Sequence, residues 1–283
     1  MSFAQLAREN TCDIILLLVI TMETDYFSPL LYVLIFLFGL IFGSFLNSWI
    51  WRTWENVRIV AGRSMCIHCG RKLTWYENIP VLSFLYLNGQ CRTCKKPISW
   101  YYPVVELATA FLFLIVAWQY VDRSLQSWFF IRDLFFVVIL LVVFIFDALH
   151  KIIIPTIIWL GAIVGLFFNY FFLHFTWQSF ALGILIGGGF FLLQYIISRG
   201  RWIGGGDVRM GVMMGIWLGW PSILTALIIS YVLGAIIGLG LLVFKKKAWT
   251  HEIPFGTFLS VGTFLTLFWG AEIVQWYTGL IGG

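Results

Sequence analysis

Long apolar segments recur along the whole chain, and shorter polar stretches separate them. Eight such segments cover residues 29–51, 103–121, 128–147, 153–173, 179–198, 207–220, 222–244 and 254–279. Apolar runs of this kind are typical of transmembrane helices, whereas the strands of a membrane barrel alternate apolar and polar residues. The pattern therefore predicts an all-α polytopic membrane protein with about eight transmembrane helices.

The sixth segment is the shortest and begins at an ionisable residue, Asp207, directly after the three glycines at 204–206. A carboxylate within sequence this apolar is costly to bury, so it marks a functional site by default. Glycine tolerates a positive φ and lets another chain approach closely. Further glycines follow at four-residue spacing, which on a helix forms one stripe suited to tight packing: Gly211, Gly215 and Gly219. On these residues alone, a glycine-rich loop whose aspartate caps the next helix explains the pattern equally well.

The N-terminal residues 1–28 do not fit the pattern of the other segments. Their apolar part, residues 14–22, is too short to span a bilayer, and it lacks the basic flank and cleavage site of a signal peptide. We expect an extracytoplasmic segment that lies on the membrane surface, unless Met22 is the true start.

The distribution of basic residues predicts which side of the membrane each loop faces. With eight spans, all but three of the 18 Lys and Arg residues fall on one side, and the exceptions are Arg8, Arg123 and Arg132. Basic residues are retained in the cytoplasm, so the loop 52–102 is predicted to be cytoplasmic and both termini extracytoplasmic. This topology places Asp147 and Asp207 at the cytoplasmic ends of their segments, at one depth.

Composition supports the membrane class. Hydrophobic residues make up 61% of the chain and charged residues 11%, where a soluble domain has about 25% charged residues. The net charge of +5 comes from residues clustered in a few loops, so it gives no case for nucleic-acid binding.

The cytoplasmic loop carries two Cys-x-x-Cys pairs, formed by Cys66, Cys69, Cys91 and Cys94. Each pair can turn two sulfurs towards one metal, and four thiolates at this spacing suit a closed, structural zinc site. The cytoplasm is reducing, which disfavours disulfides, although free thiols or redox pairs stay open. We therefore divide the remaining chain into a first helix at 29–51, a zinc-binding domain at 52–102 and a seven-helix membrane domain at 103–283. Cys12 receives no role.

The two acids at one depth suggest chemistry that neither suggests alone. Asp147 by itself is explained as a helix-end aspartate paired with Lys151. Two neighbouring carboxyls cannot both ionise easily, so one holds a proton and acts as an acid while the other acts as a base on water. Which of the two holds the proton is not assignable from the sequence. Glu106 is interpreted as an acid at a helix N-terminus, with a place in the site as the alternative.

With these residues in place, the chain resembles the bacterial type IV prepilin peptidases, which are leader peptidases and N-methyltransferases. The resemblance covers nearly everything after residue 30. It rests on Gly43-Ser44-Phe45-Leu46-Asn47, Arg63-Ser64-x-Cys66-x-x-Cys69, Leu73-x-Trp75-Tyr76-x-Asn78-Ile79-Pro80, Gly89-x-Cys91-Arg92-x-Cys94, Pro97-Ile98-Ser99, Tyr102-Pro103-x-Val105-Glu106, Gly204-x-Gly206-Asp207 and Ile253-Pro254-Phe255-Gly256.

The resemblance implies an intramembrane aspartyl protease with Asp147 and Asp207 as catalytic residues, supported by Gly204 and Gly206. The substrate would be a prepilin or pseudopilin, cut after a leader glycine at the cytoplasmic face of the bacterial cytoplasmic membrane. The new N-terminus would then be methylated by S-adenosylmethionine, for which no residue of this chain is assigned. The pilin system served and the oligomeric state are not given by the sequence.

Two other classes of function remain open on the residues alone. A proton-coupled transporter would use Asp147 and Asp207 as relay groups, but it is expected to show internal repeats, and none is convincing here. A non-catalytic scaffold would use the zinc loop to dock partners, which leaves the two acids unexplained. Replacing either aspartate with asparagine would abolish an enzyme and leave a scaffold intact.

Overall fold

The computed structural model describes residues 3–57, 63–121, 127–243 and 254–281. Within these residues the chain is helical and contains no strand, only isolated bridges in the cysteine loop. The helices are α1 (Phe3–Trp54), α2 (Leu82–Tyr86), α3 (Tyr101–Val121), α4 (Ser127–His150), α5 (Pro155–Phe171), α6 (Trp177–Ser198), α7 (Gly205–Leu218), α8 (Ser222–Val243) and α9 (Phe255–Ile281), with a 3₁₀ turn at Trp75–Asn78.

The predicted all-α membrane fold is confirmed, because each of the eight apolar segments is a helix. In the described part of the chain, six are long and apolar enough to cross a membrane: Pro29–Trp54, Tyr101–Tyr120, Trp128–His150, Trp177–Ser198, Ser222–Leu241 and Phe255–Leu280. Helix α5 is apolar but shorter, and α7 has 14 residues. The chain is a multi-pass membrane protein.

The first helix differs from the prediction at its start. Helix α1 begins at Phe3 rather than near residue 29 and continues through Pro29 without a break. A proline inside a helix removes one backbone hydrogen bond, and here the helix tolerates that loss. The expected position of the N-terminal segment at the membrane surface stays a prediction. Other residues used in the sequence analysis lie outside the described part: Arg58, Arg123, Lys245, Lys246, Lys247 and Ile253.

The chain forms two compact units, Met1–Leu125 and Gln126–Gly283, so α3 belongs with α1 and the cysteine loop rather than with the later helices. Small residues bring α1 and α3 together. A Cβ added at Gly39 would lie 2.6 Å from the Ala110 Cα, and one at Gly43 would lie 2.7 Å from the Glu106 Cα. Backbones this close are typical of helix pairs in membranes.

In the second unit, α7 packs against α6 along the predicted glycine stripe. Gly211 faces the carbonyl of Gly187, and Gly215 faces the carbonyl of Gly183. Gly219 has a different role, because it ends α7 with a φ of +63°. Two glycines of the predicted stripe, Gly211 and Gly215, therefore pack along α7, and the third, Gly219, ends the helix.

Replacing Gly215 with alanine is expected to destabilise the second unit. The added Cβ would overlap the Gly183 carbonyl, which belongs to a helix backbone and cannot rotate away. Overpacking of this kind costs about 1–3 kcal/mol or more, so the melting temperature of the purified protein should fall. Gly189→Ala is the control, since its Cβ would meet only Leu185 at an ordinary 3.6 Å. Equal melting temperatures for the two variants would show that the close packing is absent.

Helix α7 is held at its C-terminal end by buried polar side chains. The Asn169 amide donates to the carbonyls of Ile216 at 2.8 Å and Trp217 at 3.0 Å. Arg132 Nη1 donates to the Asn169 Oδ1 at 3.3 Å. The last carbonyls of a helix have no partners within it, so a buried helix end needs such donors. These contacts fix where α7 stops along its axis, and with it the depth of Asp207 at the other end.

Candidate functional site

Asp207 lies in the first turn of α7 and is 9% exposed. The backbone N–H of Gly204, which caps the helix, donates to the Asp207 Oδ2 at 3.1 Å. Gly204 has an ordinary φ of −77°, so the positive φ that glycine permits is not used there. The alternative of an aspartate that caps the helix describes the local geometry correctly, but the carboxyl is also buried in the bundle.

Asp147 lies in the last turn of α4 and is 5% exposed. The backbone N–H of Thr257 donates to the Asp147 Oδ2 at 2.8 Å, and that of Gly256 is a further donor. Both donors belong to the first turn of α9. A helix N-terminus carries partial positive charge, so the start of α9 provides a binding place for this carboxylate. The Lys151 N–H donates to the Asp147 carbonyl at 2.9 Å, which is a bond between backbone groups.

The structure brings the two carboxyls together. They are close enough for the charge on Asp147 to act on Asp207. Ile153 lies beside a glycine next to each: a Cβ at Gly206, which precedes Asp207, would stand 2.9 Å from the Ile153 Cβ, and a Cβ at Gly256, against the Asp147 carboxyl, would stand 2.9 Å from the Ile153 Cδ1. Two buried carboxyls, each bound by backbone N–H groups, can divide the roles of acid and base between them.

Sequence reasoning missed the part that Gly256 plays in this site. A Cβ at Gly256 would lie 2.9 Å from the Asp147 Oδ2, so only glycine leaves room for the carboxylate in its present position. In the sequence, Gly256 was noted only as part of a family motif, and no contact was predicted for it. Pro254 just before the helix is a start signal, but nothing local says which acid the helix would meet.

An aromatic wall from three helices lies beside Asp207, and no local sequence pattern pointed to it. Tyr231 of α8 lies near enough to Asp207 to interact with its charge. The Tyr231 ring stands 5.0 Å from that of Phe255 and 6.5 Å from that of Phe191. The Gln194 amide donates to the Tyr231 hydroxyl at 3.1 Å. These rings therefore place apolar surface on the side of Asp207.

The first unit brings the four predicted cysteines to one place. Their sulfur atoms all lie within 4.8 Å of one another, and the Cys66 and Cys94 sulfurs are 3.9 Å apart. Four sulfurs bound at about 2.3 Å to one tetrahedral zinc stand roughly 3.8 Å apart. The donor set therefore fits a metal ion, which these four cysteines could hold.

Both cysteine pairs reach this arrangement by the same turn. In the first, the Gly70 N–H donates to the Cys66 carbonyl at 2.9 Å, and in the second the Lys95 N–H donates to the Cys91 carbonyl at 2.9 Å. Gly70 and Lys95 both have positive φ values, +70° and +58°. Because both pairs form the same local turn, the spacing of the cysteines was enough to predict that they lie together.

The charges around the cysteines also suit a cation. The backbone N–H groups of Cys94 and Thr93 lower the pKa of Cys91 to about 6. The Lys96 N–H acts to lower the pKa of Cys94, yet burial and the neighbouring thiols raise it to about 11. Without a positive ion, four thiolates this close repel one another, and a bound metal removes that repulsion.

An ion pair supports the loop beside the cysteines. Arg71 Nη2 and the Glu77 Oε1 are 2.6 Å apart, and Glu77 also accepts from the backbone N–H and hydroxyl of Thr74 at 2.8 and 2.7 Å. The Arg71 guanidinium and the Thr74 bonds hold the pKa of Glu77 at about 2. Arg71 additionally bonds to Cys91, so it links the loop to a candidate metal ligand, as outer partners of metal sites do.

Glu106 has a different place from the one expected. It lies in the second turn of α3, is 8% exposed, and its Oε2 accepts from the Val81 N–H at 2.8 Å. The interpretation as an acid that stabilises the start of α3 is therefore incomplete, because its recorded bond reaches into the cysteine loop. Its partners belong to the first unit.

Comparison with known proteins gives two family matches. The model described as the bacterial peptidase A24 N-terminal domain matches residues 37–120, and the one described as the type IV leader peptidase family matches residues 134–239. The prepilin leader peptidase/N-methyltransferase of Aeromonas salmonicida (strain A449) is 31% identical over 297 residues, which cover 92% of this chain and 98% of that protein.

The protein of the same name from Bacillus subtilis (strain 168) is 31% identical over 255 residues, which cover 86% of this chain and 96% of that protein. The one from Legionella pneumophila is 30% identical over 280 residues, with 88% and 95% covered. No solved structure matches the chain.

Proposed function

Because the chain belongs to the type IV leader peptidase family, we propose that it is an intramembrane aspartyl endopeptidase that removes the leader from type IV prepilins or pseudopilins and then N-methylates the new N-terminal residue. One observation carries the peptidase activity: two buried carboxyls, Asp147 and Asp207, come together and each accepts from backbone N–H groups at the start of a helix. The catalytic residues are these two aspartates.

The reaction needs one carboxylate and one carboxylic acid. The carboxylate takes a proton from water, whose oxygen attacks the peptide carbonyl carbon, while the acid gives its proton to the carbonyl oxygen. As the tetrahedral intermediate collapses, the C–N bond breaks and the leaving amine takes up a proton. The N–H groups of Gly204 and Thr257 stabilise negative charge on the two side chains. No covalent intermediate with the enzyme forms.

The topology fits this substrate. An excess of basic residues in the loop 52–102 favours a cytoplasmic position for that loop, and the same topology puts Asp147 and Asp207 at the cytoplasmic face of the bacterial cytoplasmic membrane. A leader that has not been exported is accessible at that face. Large apolar side chains exposed on the helices, such as Leu185 at 67% and Ile228 at 63%, provide the surface that the lipid bilayer covers.

For the first unit, we assign a structural zinc ion to Cys66, Cys69, Cys91 and Cys94. Four thiolates would fill the coordination shell of such an ion, so it would contribute folding free energy and would leave no open position for a substrate. The methyl donor is S-adenosylmethionine. Its sulfonium centre would supply the methyl group to the neutral N-terminal amine, which would lose one proton as the C–S bond electrons stay on sulfur.

Replacing Gly206 with alanine is expected to slow cleavage at least about tenfold, because a displacement of about 1 Å at a catalytic group has effects of this size. The new Cβ would stand 2.9 Å from the Ile153 Cβ, which is attached to the backbone and cannot swing aside. Gly205→Ala is the matched control from the same turn, since no described atom lies within 4 Å of its Cβ. Initial cleavage rates measure both. Equal rates for the two variants would mean that Gly206 does not position Asp207.

The proposed function is tested with purified protein in liposomes, a prepilin substrate and S-adenosylmethionine. Mass spectrometry should show loss of the leader, followed by a gain of one methyl group on the product. A prepilin whose leader glycine is replaced by a bulky residue is the substrate control and should stay intact. A transporter or a scaffold would leave the mass of the prepilin unchanged, and that result would overturn the proposal.

A further inference from the structure

The first unit encloses a cavity of about 180 Å³ between the cysteine loop and the helices α1 and α3. One water molecule needs about 10–15 Å³ of such space, so the cavity has room for a small organic ligand. Asn47 of α1 and Tyr102 and Glu106 of α3 form one side, and Arg63 and Arg71 of the loop form another. The peptidase mechanism uses none of these residues.

Asn47 lines this cavity, and one polar atom of its side chain has no hydrogen-bond partner among the described residues. The side chain is 3% exposed, and its Nδ2 donates to the Tyr102 carbonyl at 2.9 Å. That bond fixes the orientation of the amide. The Asn47 Oδ1, however, has no hydrogen-bond partner among the described residues. Buried polar atoms are nearly always paired, so the Oδ1 indicates a ligand that donates a hydrogen bond from within the cavity.

The chemistry of the walls indicates what kind of ligand this is. Glu106 and the Asn47 Oδ1 offer acceptors on one side, suited to an ammonium or a hydroxyl group. Arg63 and Arg71 offer donors on another, suited to a carboxylate, and the Arg71 Nε is buried without a partner in the described part of the chain. Phe84 adds an apolar ring that can cover a flat heterocycle.

We infer that this cavity binds the methyl donor, with Asn47 and Glu106 holding the donor's cationic amino-acid end and Arg71 its carboxylate. S-adenosylmethionine combines an ammonium and a sulfonium centre with a carboxylate and a purine ring, and the acceptors, arginines and Phe84 of the walls match these groups. The inference rests on the proposed methyltransferase activity and gives that activity a site. It also gives Glu106 a role in ligand binding, which its position near the start of α3 did not explain.

The test measures binding rather than turnover. The full-length protein in detergent is titrated calorimetrically with S-adenosylhomocysteine, the spent donor, which retains the amino-acid and purine groups. Glu106→Gln keeps the size of the side chain and an oxygen for the Val81 N–H, while Asn47→Leu removes the unused acceptor. Each is expected to weaken binding at least about tenfold, the effect of losing a hydrogen bond to a charged group.

Two controls separate this inference from the peptidase proposal. Glu272→Gln changes an exposed carboxylate of α9 and should bind as the wild type does. Ligand-free Glu106→Gln should melt at the wild-type temperature, which shows that the variant is folded. The inference is overturned if both cavity variants bind with wild-type affinity, or if the wild type binds nothing while still removing the leader. If the wild type binds nothing while still removing the leader, the peptidase proposal is supported and the proposed donor site is wrong.

Discussion

Replacing Asp147 or Asp207 with asparagine is expected to reduce prepilin cleavage by a factor of about 10²–10⁴ or more, the contribution of a positioned acid or base. An asparagine keeps the shape of the side chain and an oxygen that can accept from Thr257 or Gly204, but it neither takes nor gives a proton at neutral pH. Initial rates with a purified prepilin measure the loss. The melting temperatures of these variants should not fall, because removing one of two neighbouring buried carboxyls relieves their repulsion.

Asp133→Asn is the matched control for this experiment. Asp133 is also a buried acid of α4, 2% exposed, but it is bonded to Arg132 at 2.6 Å and takes no part in the candidate site. Breaking a buried ion pair leaves a charge without its partner, so this variant should melt at a lower temperature and yet cleave at a normal rate per folded molecule. If Asp147→Asn, Asp207→Asn and Asp133→Asn all lost cleavage while melting at normal temperatures, Asp147 and Asp207 would have no special role as a pair.

Cys91→Ser should abolish metal binding by the cysteine loop. Cys91 is the most buried of the four cysteines, and its thiolate is stabilised by backbone N–H groups. Structural zinc binding is worth about 10–16 kcal/mol in small domains, so losing a ligand should also unfold the loop. Elemental analysis of the purified protein should give one zinc ion per wild-type chain and almost none in the variant, and limited proteolysis should cut the loop of the variant faster.

Cys12→Ser is the control for the cysteine experiment, since it changes the same residue type outside the two Cys-x-x-Cys pairs of the sequence. It should retain one zinc ion and a protease-resistant loop. Wild-type protein that carries no zinc after growth with zinc, or Cys91→Ser protein that keeps a full zinc ion, would contradict the metal assignment. Neither outcome would affect the aspartate pair, which belongs to the other unit.

Local patterns in the sequence were sufficient for several parts of the molecule. Apolar runs gave the helices, because a membrane helix must hide its backbone polar groups along its whole length. The two Cys-x-x-Cys pairs predicted the cysteine cluster, since each turn is built from hydrogen bonds within a few residues. Asp207 was conspicuous because it is an acid in apolar surroundings.

Contacts between distant residues were not accessible in this way. The partner of Asp147 is the start of α9, 110 residues further along the chain, and the pattern around Thr257 does not specify which acid it meets. Asn169 caps α7 across 47 and 48 residues, although on its own helix it is only one polar residue among apolar ones. Such pairings depend on which helices pack together, and hydrophobic periodicity does not determine that.

The most direct test of whether Asp147 and Asp207 form one acid–base unit is the residual cleavage rate of the double variant Asp147→Asn/Asp207→Asn beside the two single variants. Groups that act as a unit are strongly non-additive. The double variant should therefore cleave prepilin no more slowly than the slower single variant, within error. If instead the two losses multiply, or if either single variant cleaves at the wild-type rate, the two aspartates do not work as a pair.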